Sequence, residues 1–332
     1  MKISDLGEFG VIDRLSSYIH ARNTESYDLL GYELIVGVGD DTAIWKPGSG
    51  IELATTDTMV EGVHFHQYTT SWYDLGWKVM AANASDIAAM GGLPLYAMVT
   101  LGLPAETDVA DVDELYKGIL DFADKCQIKI VGGDMVRSSF IFITISLTGA
   151  TDLSAMLRTN AQIGDQIAII GQLGLSGAGL KLIQGSLNLE NGSDRLIAAH
   201  KTPYPLIDQG RILASIGIKA AMDVSDGLVD DLGKLCIASD VSARIDSTQI
   251  PIDSSLKKFF PDEYMNMVLY GGEDYALIFC APPPIMERAL SKLSGQSTVI
   301  GEMLSGSPGQ VFIIGTDGNE IKANRSGWDH YR

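Results

Sequence analysis

In the first third of the chain, short apolar runs stop repeatedly at acidic or glycine-rich segments. Residues 34–45 read as a strand running into a turn at Gly39-Asp40-Asp41, and 51–57 as a short strand ending at Thr55-Thr56-Asp57. The spacing then changes. Over 73–90, Leu75, Val79, Ala82 and Ile87 fall near one face of a helix, which stops at Gly91-Gly92 with Pro94 beyond. A strand over 95–102 and a helix over 109–125 follow. Ile128–Val131 reads as a strand entering a turn at Gly132-Gly133-Asp134, and Phe140–Gly149 as a partly alternating strand.

A second block begins near 150–165. Gln166–Gly171 is an apolar strand, and further strands are predicted at 241–246, 275–280, 297–301 and 310–314. Helices are predicted at 176–185, 206–216 and 228–239, and Pro282-Pro283-Pro284 punctuates the last third. The pattern places a domain boundary at about 150, giving domains 1–150 and 151–332. A length of 332 residues agrees with two cores rather than one.

Composition narrows the class. Hydrophobic residues make up 46% and charged residues 20%, the balance of a globular chain. No apolar run is long enough to cross a membrane, and the opening MKISDLGEFG lacks the basic-then-apolar order of a signal peptide. Cys126, Cys236 and Cys280 are scattered, with no CxxC, as in a reducing compartment, so the cytoplasm is expected. A net charge of −18 argues against nucleic acid as a partner, because that affinity comes mainly from cations meeting phosphates.

The acidic residues are not evenly spread. Five segments stand out: Gly39-Asp40-Asp41-Thr42, Thr55-Thr56-Asp57, Asn83-Ala84-Ser85-Asp86, Gly132-Gly133-Asp134 and Asp223-Val224-Ser225-Asp226-Gly227. Any one of them could be a plain turn, and Ser225 or Asp226 could simply cap the helix at 228. Together they point to a hard cation. Magnesium prefers oxygen ligands and binds through a few carboxylates plus substrate phosphates. An acidic site can accept a polyanion only if cations lie between them. Asn83 and Asp86, at i and i+3, share one face of a helix. Zinc fits less well: His64 and His66 alternate as on a strand and could face the same way, but no cysteine or HExxH partner joins them.

The usual nucleotide loops are missing. Gly174-Leu175-Ser176-Gly177-Ala178-Gly179-Leu180-Lys181 approaches a P-loop but lacks Lys directly after its second key glycine. Gly37-Val38-Gly39 fails as GxGxxG at Thr42, and no HRD, DFG or GxSxG set occurs. Gly271-Gly272-Glu273-Asp274-Tyr275 reads as a turn before a strand, or as a loop offering the Glu273 carboxylate to a cationic ligand. Trp328 reads as a terminal core aromatic, or as a stacking surface for a flat ring.

The segments GEFGVIDRL at 7–15, GVGDDTA at 37–43, TTDTMVEGVHF at 55–65, NASDIAAMGG at 83–92, VGGDMVRS at 131–138, DVSDGLVDDLGKL at 223–235, GGEDYAL at 271–277 and GWDHY at 327–331 are similar in order and spacing to the thiamine-monophosphate kinase family. The GDD, SD, GGD and SDG elements also resemble the wider superfamily of aminoimidazole ribonucleotide synthetase, selenophosphate synthetase and hydrogenase-maturation proteins. The resemblance implies an α/β (α+β) chain with the two-domain fold of aminoimidazole ribonucleotide synthetase. Its N-terminal domain would contribute to a β-barrel across a homodimer, and its C-terminal α/β domain would complete the nucleotide and substrate site. It implies ATP-dependent phosphorylation of thiamine phosphate to thiamine diphosphate with several Mg2+ ions, the last step of thiamine diphosphate biosynthesis.

Carried over residue by residue, Asp41, Thr55, Thr56, Asp57, Asp86, Asp134, Asp223 and Asp226 would hold magnesium, with Asp40 a neighbouring candidate. Tyr116, Gly133, Asp134, Arg158 and Ser225 would contact ATP. His64, Glu273 and Trp328 would contact thiamine phosphate. The catalytic burden would fall on Arg158, Asp57 and Asp226, in direct in-line transfer without a phosphoenzyme. Segments 186–200 and 282–297 resemble nothing specific.

Overall fold

A computed structural model of the protein describes residues 1–23, 30–185, 192–315 and 317–323. The chain divides into two compact units, Met1–Ile87 with Leu93–Asp152, and Ala88–Gly92 with Leu153–Arg332. Among the described residues, no helix is long and apolar enough to cross a membrane.

In chain order, the first unit carries α1 (Ile3–Arg22), β1 (Glu33–Val36), β2 (Ile44–Lys46), β3 (Ile51–Val60), α2 (Trp72–Ala89), β4 (Leu93–Leu103), α3 (Val109–Cys126), β5 (Lys129–Arg137) and β6 (Phe142–Thr151). Its main sheet runs β3-β6-β4-β5, antiparallel except for the β4–β5 pair. β6 shows the period of two that a one-sided sheet requires: Ile143, Ile145 and Leu147 are buried, while Thr144, Ser146 and Thr148 between them are not. The other face stays open, with Thr56, Thr58, Met98 and Val136 exposed along it. Helix α1, interrupted at Gly7, docks on α3 through paired bonds from Arg14 to Asp113, both 2.7 Å, and from Arg22 to Asp121 and Asp124.

The second unit carries β7 (Gln166–Ile170), α4 (Leu175–Ile183), α5 (Ser193–Lys201), α6 (Ile207–Ile216), β8 (Ala220–Val224), α7 (Leu228–Ala238), β9 (Ser242–Asp246), α8 (Ser254–Phe259), α9 (Tyr264–Tyr270), β10 (Ala276–Ala281), α10 (Pro283–Lys292), β11 (Ser297–Leu304), β12 (Val311–Ile314) and β13 (Glu320–Lys322). One sheet, ordered β13-β12-β9-β11-β7-β10-β8, holds them together. Its central strands are apolar throughout because both faces are covered. Ile167 and Ile169 enter one core with residues of α4, α7 and α9, while Ala168 and Ile170 enter another with Leu213, Ala214, Met286 and Ala289 of α6 and α10.

Three sequence expectations change here. Thr55-Thr56-Asp57 does not end a strand, because β3 continues to Val60. Gly132-Gly133-Asp134 is not a turn but lies inside β5. A Cβ at Gly133 would stand 2.0 Å from the Val99 carbonyl oxygen, so that glycine serves the close approach of β4 rather than a bend. Pro282-Pro283-Pro284 begins α10, where a missing N–H costs nothing.

Candidate functional site

In the first unit, the acidic residues gather where β3 faces α2. Thr55 and Asp57 alternate with the exposed Thr56 and Thr58, so they point to the helix side of the sheet. The Thr55 hydroxyl donates to Asp86 Oδ2 at 2.5 Å, and the Asp57 backbone N–H donates to Asn83 Oδ1 at 3.1 Å. Asn83 is fully buried and anchors its own amide on the Val79 carbonyl at 2.9 Å. The i, i+3 spacing of Asn83 and Asp86 thus does what a helix makes it do: one residue fixes β3 while the other presents a half-buried carboxylate beside it.

The remaining first-unit candidates lie elsewhere. Asp57, Ile145, Val99 and Gly133 form one row across the sheet, and Thr58, Thr144, Thr100 and Asp134 form the next. Asp134 therefore projects from the open face, three strand spacings or about 14 Å from Asp57. Thr56 shares that open face, its hydroxyl bonded to the Ile145 carbonyl at 3.0 Å. Asp40 and Asp41 are exposed on the β1–β2 connection, with the Asp41 N–H donating to Asp40 Oδ1 at 2.8 Å. Tyr116 sits on the inward side of α3, where burial pushes its phenol pKa well up.

His64 and His66 do not alternate on a strand. They follow β3 in a turn, in which His64 Nδ1 accepts the Val60 N–H at 3.0 Å and His66 stacks on Tyr68. His64 therefore carries its proton on Nε2 when neutral.

In the second unit, Asp223 is buried near the end of β8, and Ser225-Asp226-Gly227 leads into α7. The turn is organised by Asp231, a residue the sequence did not single out. Its Oδ2 accepts the backbone N–H groups of Ser225 at 2.9 Å, Asp226 at 2.9 Å and Gly227 at 3.2 Å. Lys234 donates to Asp231 Oδ1 at 2.7 Å and also to Asp226. Burial raises the Asp231 pKa against the pull of Lys234 and these N–H donors. A carboxylate in the first turn of α7 was the available signal, because it complements the positive helix end.

The GGEDY segment closes against this turn. The Glu273 N–H donates to the Ser225 carbonyl at 2.8 Å and the Tyr275 N–H to that of Val224 at 2.9 Å, with positive φ at both residues. Asp274, another residue missed in the sequence, accepts from the N–H groups of Gly174 at 2.6 Å and Ser176 at 2.9 Å. Burial nevertheless pushes its pKa up to about 7. These bonds explain why the glycine-rich run at 174–181 is no P-loop: an internal carboxylate already occupies the start of α4. A cavity of about 380 Å³ borders the same segment, lined in part by Gln172, Arg195, Tyr204, Asp274 and Tyr275. Its cation, Arg195, is paired with Asp253 at 3.0 Å.

Arg158 is exposed on a single 3₁₀ turn, Arg158–Asn160. That turn is tied to the start of β8, through the Leu157 N–H to the Lys219 carbonyl at 2.8 Å, and to the end of α7, through Ser239 Oγ to the Arg158 carbonyl at 2.6 Å. Four residues of extended chain, about 13 Å, separate Lys219 from Asp223. The backbone of Arg158 is thus anchored about a strand's length from Asp223. Trp328 lies outside the described residues.

Among the described residues, no group of three or more His, Cys, Asp and Glu side chains converges into a metal cage. The oxygen donors are Asp57, Asp86 and the Thr55 hydroxyl at the β3–α2 junction, and Asp223 and Asp226 about the β8–α7 turn, where Asp226 is paired with Lys234. Such hard-oxygen donors suit magnesium shared with phosphates and water, and do not suit zinc.

Comparison with known proteins agrees with this architecture. Residues 39–151 match the family AIR synthase related protein, N-terminal domain, and residues 162–314 match AIR synthase related protein, C-terminal domain. A thiamine-monophosphate kinase from Bacillus subtilis (strain 168) is 33% identical over 306 residues, covering 90% of this chain and 94% of the relative. The crystal structure of thiamine-monophosphate kinase from Stenotrophomonas maltophilia K279a superposes with a TM-score of 0.79 at 32% identity, covering 92% of this chain and 96% of the other. The structure of AaThiL complexed with AMPPCP and TMP gives 0.77 at 33% identity, with 99% of each chain covered.

Proposed function

Because the chain belongs to the AIR synthase related family over both of its domains, we propose that it transfers the γ-phosphoryl group of ATP to thiamine phosphate, giving thiamine diphosphate and ADP. The observation that carries this reading is similarity over 99% of the chain to a structure described as complexed with AMPPCP and TMP. The acidic residues at the β3–α2 junction of one unit and about the β8–α7 turn of the other support it.

The chemistry follows from charge. The acceptor is a phosphate monoester with a second pKa near 6, so its oxygen is largely deprotonated at pH 7 and needs no general base. The barrier is repulsion between two polyanions, and positioning with charge stabilisation lowers it. Asp57 and Asp86 with Thr55, and Asp223 with Asp226, would hold magnesium, with Asp41, Thr56 and Asp134 as further oxygen donors. Magnesium, when bound, would neutralise the phosphate oxygens. Ser225, Tyr116, Gly133 and Asp134 are assigned to the nucleotide. Arg158, anchored a strand's length from Asp223, is assigned to binding the nucleotide rather than to the transferred phosphoryl. His64, Glu273 and Trp328 are assigned to the acceptor, with the Glu273 carboxylate facing the thiazolium cation.

The open face of the four-stranded sheet supports pairing of two first units. Thr56, Thr58, Met98 and Val136 form an uncovered strip, and closing it against a second copy would take the apolar Met98 and Val136 out of water. The test of the reaction is ADP release from ATP and magnesium on adding thiamine phosphate. A chain that binds ATP but releases no ADP with this acceptor would be a binding protein instead.

A further inference from the structure

Residue His200 of α5 is 3% exposed and belongs to none of the segments that carry the family resemblance. Its Nδ1 lies 3.0 Å from Ser176 Oγ on α4 and 3.6 Å from Glu273 Oε2 on the GGEDY segment. We propose that His200 is a positioning residue that fixes the direction of the Glu273 carboxylate.

A histidine buried merely to fill space would be satisfied by the Ser176 hydroxyl alone. What it would not need is a carboxylate oxygen approaching the same ring nitrogen. An ionised carboxylate only accepts, so its approach, electrostatic at 3.6 Å rather than a formed hydrogen bond, is favourable with a proton on Nδ1, and the Ser176 hydroxyl can accept from the same N–H. The proposal therefore requires the Nδ1–H tautomer of the neutral ring. The backbone of Glu273 is already held, by its N–H on the Ser225 carbonyl at 2.8 Å and a φ of 64°. Its neighbour Asp274 is bound to the start of α4. The Glu273 side chain is 30% exposed, and the buried His200 ring lies beside it. A cationic ring would meet a carboxylate already aimed, so less conformational freedom is lost on binding.

The inference rests on the assignment of Glu273 to the acceptor. Its kinetic test compares His200→Ala, His200→Asn and Glu273→Gln. His200→Ala should raise the KM for thiamine phosphate about tenfold, the usual loss when an orienting partner is removed, with the KM for ATP changed less than twofold. His200→Asn places an amide near the lost Nδ1 and should recover most of that loss. An unchanged acceptor KM in His200→Ala, or equal rises in both KM values that His200→Asn fails to rescue, would overturn the proposal. The spectroscopic test needs no turnover. The imidazole 15N shifts of His200, identified by their loss in His200→Asn, should report Nδ1–H in the unaltered protein and move in Glu273→Gln. Unmoved shifts would overturn the proposal even if thiamine phosphate proved not to be the acceptor. Moved shifts without turnover would instead overturn only the reading of the acceptor.

Discussion

Replacing Asp231 by alanine tests the claim that one buried carboxylate shapes the aspartate turn. The side chain is 1% exposed and accepts three backbone N–H groups. Each buried donor left without a partner costs roughly 1–3 kcal/mol. The Ser225 and Asp226 donors are only partly buried, and water can reach them once the side chain is gone. That leaves a loss of about 2–4 kcal/mol, most of it from the buried Gly227 donor, since Lys234 is partly exposed and keeps Asp226. Lys234→Met should cost less, about 1–2 kcal/mol, because its side chain is 35% exposed and Asp231 keeps its three N–H donors. Urea denaturation of both variants measures the two losses. The KM for ATP should rise in Asp231→Ala, since the turn that offers Ser225 is no longer held. A loss below about 1 kcal/mol in Asp231→Ala, or a larger loss in Lys234→Met, would refute the reasoning.

Asp57→Asn should lower turnover by about 100-fold or more while leaving the denaturation midpoint nearly unchanged, because it removes a half-exposed charge rather than a core contact; near-normal turnover at saturating magnesium would contradict that. Arg158→Ala should raise the KM for ATP more than it lowers kcat, and steady-state kinetics with each substrate varied would show the reverse if Arg158 acted on the transferred group. Asp274 has a folded pKa raised to about 7 by burial, so the folded state binds its proton more tightly than the unfolded state does. Its contribution to stability is complete below about pH 4 and is lost as pH rises through about 7, by at most ~4 kcal/mol. The stability difference between the unaltered protein and Asp274→Asn should therefore slope across that window, and a flat difference would rule the shift out. Gly133→Ala should cost about 1–3 kcal/mol in denaturation, since a Cβ would meet the Val99 carbonyl at 2.0 Å.

Much of this was legible where a single period governs the chain. α2, α3 and α7 and the strands β4, β6, β7 and β9 follow from apolar spacing, and the shared face of Asn83 and Asp86 followed from the helix turn alone. The failures have a common cause: a glycine or aspartate was read as a turn when it answered a neighbour distant in sequence. Gly133 is small because β4 passes against it, which no local pattern reveals. Helix α1 escaped notice because Gly7 interrupts it and its polar residues pair with aspartates of α3 rather than lining one face. Asp231 answers donors only four to six residues before it and was passed over as an ordinary carboxylate at a helix start, whereas Asp274 and His200 were missed for the same reason as Gly133. Their roles arise from backbone donors or side chains that only the fold brings within reach.

The central claim is that the acceptor must bring its own phosphate. The candidate site is rich in carboxylates, so an anionic group is needed to share any magnesium, and thiamine offers only a hydroxyl of high pKa. The direct measurement is to incubate the protein with magnesium and ATP plus either thiamine phosphate or thiamine, and to resolve the products by chromatography. Thiamine diphosphate should form from thiamine phosphate and not from thiamine. Its formation from thiamine at a comparable rate would contradict the account and indicate pyrophosphoryl transfer.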